Sequence, residues 1–118
     1  MREILFRGKQ LDNGVWVYGN LFISETDNRT YILAESRRTM TKWEIDPSTI
    51  GQYTGLRDGG GRQIFEGDIL ELCMTGKVVV EFDDGLFGAN SDECGILPLR
   101  RSLFGEGGII IGNIYDNR

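Results

Sequence analysis

Histidine is missing from all 118 residues of this chain, and cysteine and proline occur only twice each. Without histidine there is no ordinary acid–base group near neutral pH, no Ser–His or Cys–His nucleophile pair, and little from which to build a zinc site. Cys73 and Cys94 are twenty-one positions apart and form no Cys-x-x-Cys. Two thiols make no structural zinc site. Without an export signal a disulfide is not expected either, so both read as small buried apolar residues. Long apolar runs are also lacking, and none approaches the roughly 18 residues of a spanning helix. The opening Met1-Arg2-Glu3-Ile4-Leu5-Phe6-Arg7 is charged again after three apolar residues, so no secretory signal is read there. Alanine, the best helix former, occurs only at Ala34 and Ala89 against seventeen glycines, which argues against helices.

What the chain does contain is 40% hydrophobic and 26% charged residues, enough apolar material for one soluble intracellular domain and too much for a disordered chain. Isoleucine, valine and threonine together supply twenty-four residues, side chains that suit pleated surfaces. The fold class expected is all-β. Charge is unevenly placed: residues 1–59 carry eight acids and eight bases, residues 60–118 ten acids and five bases. The whole net charge of −5 therefore belongs to the second half. An acidic surface repels phosphate backbones, so generic duplex binding is disfavoured, and the acids serve solubility and the protection of strand edges.

A short first strand is expected around Ile4 to Phe6. From Gly14 onward the alternation is clear, with Val15, Val17, Leu21 and Ile23 on one face and Trp16, Tyr18 and Phe22 on the other. Because both faces are apolar, this strand is expected to be central or covered on both sides. Asp27-Asn28 turns into a partner strand at 30–34. Residues 37–45 read as a strand ended by Asp46-Pro47, and 50–54 as a short extended stretch. Gly59-Gly60-Gly61, inside the breaker at 57–63, suggests a seam between a β subdomain at 1–56 and another at 64–118. Beyond it, strands are expected up to Cys73, over 77–82 and over 86–89, with Asp83-Asp84-Gly85 as a hairpin turn. Pro98 excludes a central strand position. The run Ile109-Ile110-Ile111 implies a last strand buried on both sides. Short strands and tight turns fit two packed β subdomains, the second an SH3-like small barrel.

Candidate chemistry is sparse. Gly105-Glu106-Gly107-Gly108 lacks the third glycine of a dinucleotide loop and precedes a strand pattern, so it reads as a turn. Glu66 and Asp68 flank Gly67 at a strand entrance and could coordinate a cation or polarise a water, although acids so placed commonly bond to turn amides. Trp16, Tyr18 and Tyr53 could stack on bases beside the basic pairs Arg37-Arg38 and Arg100-Arg101.

Arg2-Glu3-Ile4-x-Phe6-Arg7, Gly14-x-Trp16-Val17-Tyr18-Gly19 and Ile45-Asp46-Pro47-Ser48-Thr49-Ile50-Gly51-Gln52-Tyr53-Thr54-Gly55-Leu56 resemble the YopX family of bacteriophage and prophage proteins. So do Ile64-Phe65-Glu66-Gly67-Asp68-Ile69 and Ile111-Gly112-Asn113-Ile114-Tyr115-Asp116-Asn117. The resemblance spans nearly the whole chain and implies an all-β cytoplasmic phage protein. It supplies no catalytic residue, no metal ligand and no cofactor. The matching positions Gln52, Tyr53, Glu66, Gly67, Asp68 and Asn113 are candidates either for binding or for forming turns. The expectation is a non-enzymatic binding or assembly module that self-associates or binds a host or phage protein, without a membrane partner. One alternative is a regulator of a nucleic-acid transaction, acting by single-strand binding or by acidic capture of a basic partner. Another is a carboxylate- or metal-dependent enzyme centred on Glu66 and Asp68.

Overall fold

The computed structural model describes residues 4–36, 38–72, 76–83, 86–91, 95–98 and 108–116. Among these residues there are eleven strands, one 3-10 turn and no α-helix, so the protein is all-β. Among the described residues no helix is long and apolar enough to cross a membrane. The chain divides into two units, Met1–Tyr53 and Thr54–Arg118.

In the first unit, β1 (Phe6–Lys9), β2 (Trp16–Ile23), β3 (Thr30–Ser36) and β4 (Thr39–Glu44) form antiparallel neighbours in the order β4-β3-β2-β1. The start of β5 (Gly51–Arg57) follows, with Gln52 opposite Phe6 and Gly51 opposite Arg7. β2 serves two partners. Its residues Trp16 to Gly19 pair with β1, and Asn20 to Ile23 pair with β3. Gly19, at the changeover, has no room for a Cβ, which would collide with the Leu33 carbonyl. The alternating residues Val17, Leu21, Ile32 and Ile45 gather with Phe6, Trp43 and Ile50 into the unit's core. The strand periodicity of two sends their neighbours to the opposite face.

Asp46-Pro47 stops β4, as expected, by capping the 3-10 turn Pro47–Thr49: the Asp46 carboxylate accepts the Ser48 N–H at 3.0 Å. Thr49 Oγ1 in turn accepts the Lys9 N–H at 2.9 Å, fixing the turn against β1. β2 is central, as one of the two expected alternatives has it, lying between β1 and β3. The other alternative, covering on both faces, does not hold: Tyr18 and Phe22 are 46% and 45% exposed on the second face.

In the second unit the remainder of β5 stands next to β6 (Gln63–Phe65). A five-stranded sheet follows in the order β10-β9-β8-β7-β11, built from β7 (Asp68–Leu72), β8 (Gly76–Asp83), β9 (Leu86–Ser91), β10 (Gly95–Pro98) and β11 (Ile109–Asn113). Leu70, Val78 and Val80 on one face of that sheet are fully buried with Ile64 of β6, and Leu56 and Ile110 pack against them. Burying each such side chain is worth about 1.5–3 kcal/mol, so this cluster anchors the unit.

Three expectations are revised here. Among the described residues no pairing joins β10 to β11, so the sheet is open and the SH3-like barrel is not formed. β11 is an edge strand, with Ile109 41% and Ile111 45% exposed; a continuous apolar run does not by itself distinguish an edge from a centre. The glycine triplet lies inside the second unit as the β5–β6 turn, where the Asp58 N–H donates to the Arg62 carbonyl at 2.8 Å. Pro98 does sit in the edge strand β10, as its missing donor requires. Gly112 stands where the register of β11 against β7 shifts, a bulge position. Arg37, Cys73, Cys94, the Asp84-Gly85 turn, Arg100-Arg101 and Gly105 to Gly107 lie outside the described residues.

Candidate functional site

Four of the six candidate positions meet in the second unit. β6 ends at Phe65, and Glu66-Gly67 turns the chain into β7. Gly67 has φ +93°, a conformation open to glycine. Its N–H donates to the Val80 carbonyl at 2.8 Å, and its own carbonyl accepts the Ile114 N–H at 2.9 Å. A Cβ there would stand 2.8 Å from Cε2 of Tyr115. Asp68 is 2% exposed, and its carboxylate accepts the Phe65 N–H at 2.7 Å, closing the turn. Directly across the ladder from Asp68 is Asn113. Asn113 Oδ1 accepts the N–H groups of Tyr115 and Asp116, both at 2.9 Å, and its Nδ2 donates to Asp116 at 2.9 Å. Two side-chain-capped turns thus sit back to back.

Beside them lies an open groove of about 260 Å³ lined by Glu66, Gly67, Glu81, Phe82, Ile114 and Tyr115, among others. Glu66 lines this groove and Asp68 does not, so the two acids occupy different environments. Among the described residues no group of three or more Cys, Asp or Glu is placed to hold a metal ion. Gln52 and Tyr53 belong to the first unit instead. Tyr53 is 6% exposed and its N–H donates to the Leu5 carbonyl at 2.8 Å, which makes it a packing residue and not a stacking platform.

Sequence reasoning overlooked Asp58. Its side chain is fully buried and accepts four hydrogen bonds. Oδ1 takes the N–H groups of Gly60 (2.9 Å) and Arg62 (2.8 Å), while Oδ2 takes Ile110 N–H (3.0 Å) and Arg62 Nε (3.3 Å). The Arg62 guanidinium also donates to the Ile110 carbonyl. Burial pushes the Asp58 pKa up, but the amides of Ile110, Arg62 and Gly60 and the charge of Arg62 outweigh it, and the net shift is downward. Asp58 ties the glycine turn to β11. The Asp-Gly dipeptide reveals a turn, yet nothing in it announces a partner fifty-two residues away.

The second feature is the outer face of the β1–β4 sheet. Lys9 pairs with Trp16 and Arg7 with Tyr18 across β1 and β2, so all four side chains share one face. The Arg7 guanidinium carbon lies 4.6 Å and the Lys9 ammonium 5.5 Å from the Trp16 ring centre. Further along the same face Phe22 stands opposite Tyr31, with ring centres 6.2 Å apart and planes within 29°. Lys42 Nζ lies 4.5 Å from the Tyr31 ring centre. The Tyr31 hydroxyl donates to the Asp27 carboxylate at 2.6 Å. This bond holds the Tyr31 pKa above and the Asp27 pKa below their ordinary values. Cations over ring faces are electrostatically favourable. Trp16 and Tyr18 were visible in the sequence as stacking candidates. Their cationic partners on β1 are legible only once the register is known.

Geometry and fold define an all-β protein of two antiparallel units, one bearing a sheet face on which Tyr18 and Phe22 are exposed while Arg7 and Tyr31 are buried. It belongs to the YopX family: the family model described as YopX protein matches residues 5–118. No curated protein matches the chain.

Proposed function

We propose that this YopX-family chain is a phage- or prophage-derived accessory protein that acts in the bacterial cytoplasm as a non-enzymatic binding module. The observation that carries the reading is the sheet face on which Tyr18 and Phe22 are exposed, flanked by Trp16, Lys9 and Lys42. Large aromatics are usually spent on cores, and Tyr18 and Phe22, 46% and 45% exposed on one sheet face beside the half-buried Trp16, mark an interaction surface. Met40, 61% exposed on the neighbouring strand, extends it. A binding role also suits the second unit. Its groove of about 260 Å³ is smaller than the roughly 300–1,000 Å³ that encloses a small-molecule substrate. The Asp68 carboxylate serves the Phe65 amide, which favours a turn role over acid–base work with Glu66. Self-association belongs to the same reading, because β4 ends its sheet with exposed residues over most of its length.

The test is affinity capture from infected host cells, with and without nuclease, comparing the native chain with the double variant Tyr18→Ala, Phe22→Ala. The expected result is a specific partner held by the native chain and lost from the variant. Identical captured sets would refute the role of this face. Sedimentation showing only a 13.3 kDa species at micromolar concentration would remove self-association.

A further inference from the structure

Independently of the binding reading, we infer that Asn13 is a site of spontaneous covalent modification, its side-chain amide being converted to aspartate and isoaspartate within the folded protein. Asparagine is among the chemically labile residues, and Asn13-Gly14 is the one Asn-Gly in the sequence. It lies in the turn between β1 and β2, where the residues from Leu11 to Val15 are all exposed. The reaction requires the Gly14 backbone nitrogen to reach Cγ of Asn13. Gly14 stands at φ +69°, and the space that a Cβ would fill is open. The Val15 N–H donates to Asn13 Oδ1 at 2.9 Å. That bond folds the side chain back over the turn, so Cγ and the Gly14 nitrogen are held within one hydrogen-bonded ring. It also sets a donor on the oxygen that gains negative charge during the attack.

The conversion balances with water alone. Hydroxide takes the Gly14 amide proton, the nitrogen bonds to Cγ, and Nδ2 leaves as ammonia, closing a succinimide ring. Water then opens the ring at either carbonyl. One product is aspartate; the other is isoaspartate, in which the main chain runs through the former side chain. The Gly14 N–H donates to the Gln10 carbonyl at 2.9 Å, and this bond has to open first. Opening is local, because the loop around it is exposed to water.

The structure separates Asn13 from its competitors. Asn20, Asn28 and Asn113 precede Leu21, Arg29 and Ile114, whose side chains crowd the attacking nitrogen. Asn20 is also held in the ladder opposite Leu33. Asn113 is buried, with Oδ1 and Nδ2 both bonded. Asp58-Gly59 could close the same ring, but that route passes through a protonated acid. The Asp58 carboxylate is held ionised by its amide donors, and the Gly59 N–H donates to the Gly108 carbonyl at 2.8 Å.

The test ages the purified native chain at mildly alkaline pH, in buffer and in parallel in denaturing urea. Peptides are mapped by mass spectrometry, and a protein isoaspartyl methyltransferase reports isoaspartate. In buffer the Asn13 peptide should lose ammonia and accept the methyl label, while the peptides holding Asn20, Asn28 and Asn113 keep their amides. Asn13→Gln should abolish the conversion at this position, since the longer side chain closes its ring far more slowly. An Asn13 amide that stays intact in buffer, whether or not the urea-treated chain converts, would overturn the assignment. So would faster conversion in buffer at Asn20, Asn28 or Asn113.

Discussion

Replacing Asp58 tests whether one buried carboxylate holds the last strand in place. Asp58→Ala removes the acceptor for three backbone amides and for Arg62 Nε. The cost is unequal among them. Gly60 and Arg62 are exposed and their donors can turn to water, whereas Ile110 is half-buried against the Leu70 cluster. Leaving such an amide unpaired costs about 1–3 kcal/mol, and losing bonds to a charged group adds about 1.5–3 kcal/mol. Asp58→Ala should therefore destabilise by about 3–4 kcal/mol, a large share of the ~5–15 kcal/mol typical of a domain. Asp58→Asn retains one oxygen for Gly60 and Arg62 but turns an NH₂ toward the Ile110 N–H, and should cost about 2 kcal/mol. Urea unfolding measures the loss, and hydrogen exchange at the Ile110 amide should accelerate most. The acid limb supplies a further check. The folded pKa of Asp58 lies below its ordinary value of 3.8. The ionised carboxylate thus adds stability above that value, and this stability is lost as pH falls through 3.8 toward the folded pKa. Asp58→Asn should flatten this limb. An Asp58→Asn protein within about 0.5 kcal/mol of native, the usual spread for inconsequential surface changes, would refute the reasoning.

Gly67→Ala should destabilise by about 1–3 kcal/mol, since it forces an L residue to φ +93° and a methyl onto Tyr115; thermal melting reads this directly. Asp27→Asn should let Tyr31 ionise at lower pH, followed by ultraviolet titration. Because the Tyr31 pKa is raised in the folded protein, its contribution to stability holds below the ordinary value and disappears as pH rises through the folded one. Asn113→Asp keeps the acceptor for the Tyr115 and Asp116 amides but sets a second carboxylate against Asp116. It should lower the melting temperature at pH 7 and recover near pH 3, where about half or more of such acids are protonated. Glu66→Gln should leave the captured partners unchanged in affinity capture, and their loss would move the binding surface to the groove that Glu66 lines.

Alternation made β2 readable, because Val17, Leu21 and the aromatics between them obey a period that chemistry alone enforces. The turns at Asp46-Pro47 and Asp27-Asn28 were readable for the same local reason: φ 60° at Asn28 and the Asp46 cap are properties of a few adjacent residues. Misreadings arose wherever the deciding partner was remote. Ile109 to Ile111 look like a central strand until the sheet order places them at an edge. Tyr53 looks like a stacking platform until its burial is known. Glu66, Gly67, Asp68 and Asn113 were marked as one group through the family's motifs, but the two turns meet only through the pairing of β7 with β11. Arg7 and Lys9 offered no signal at all, since their meaning depends on which residues of β2 they oppose.

One uninterrupted strand sets the phase of both ring clusters. Trp16 and Tyr18 belong to its first half and Phe22 to its second, and no turn intervenes to reset the count between them. Adding or deleting a single residue near Gly19 would rotate everything downstream by half a period. Phe22 would then point inward and Leu21 outward, severing the aromatic row while leaving the composition almost untouched. Relatives that lengthen or shorten this chain can do so in its loops, but at that joint the spacing works as a ruler that tolerates changes only in steps of two.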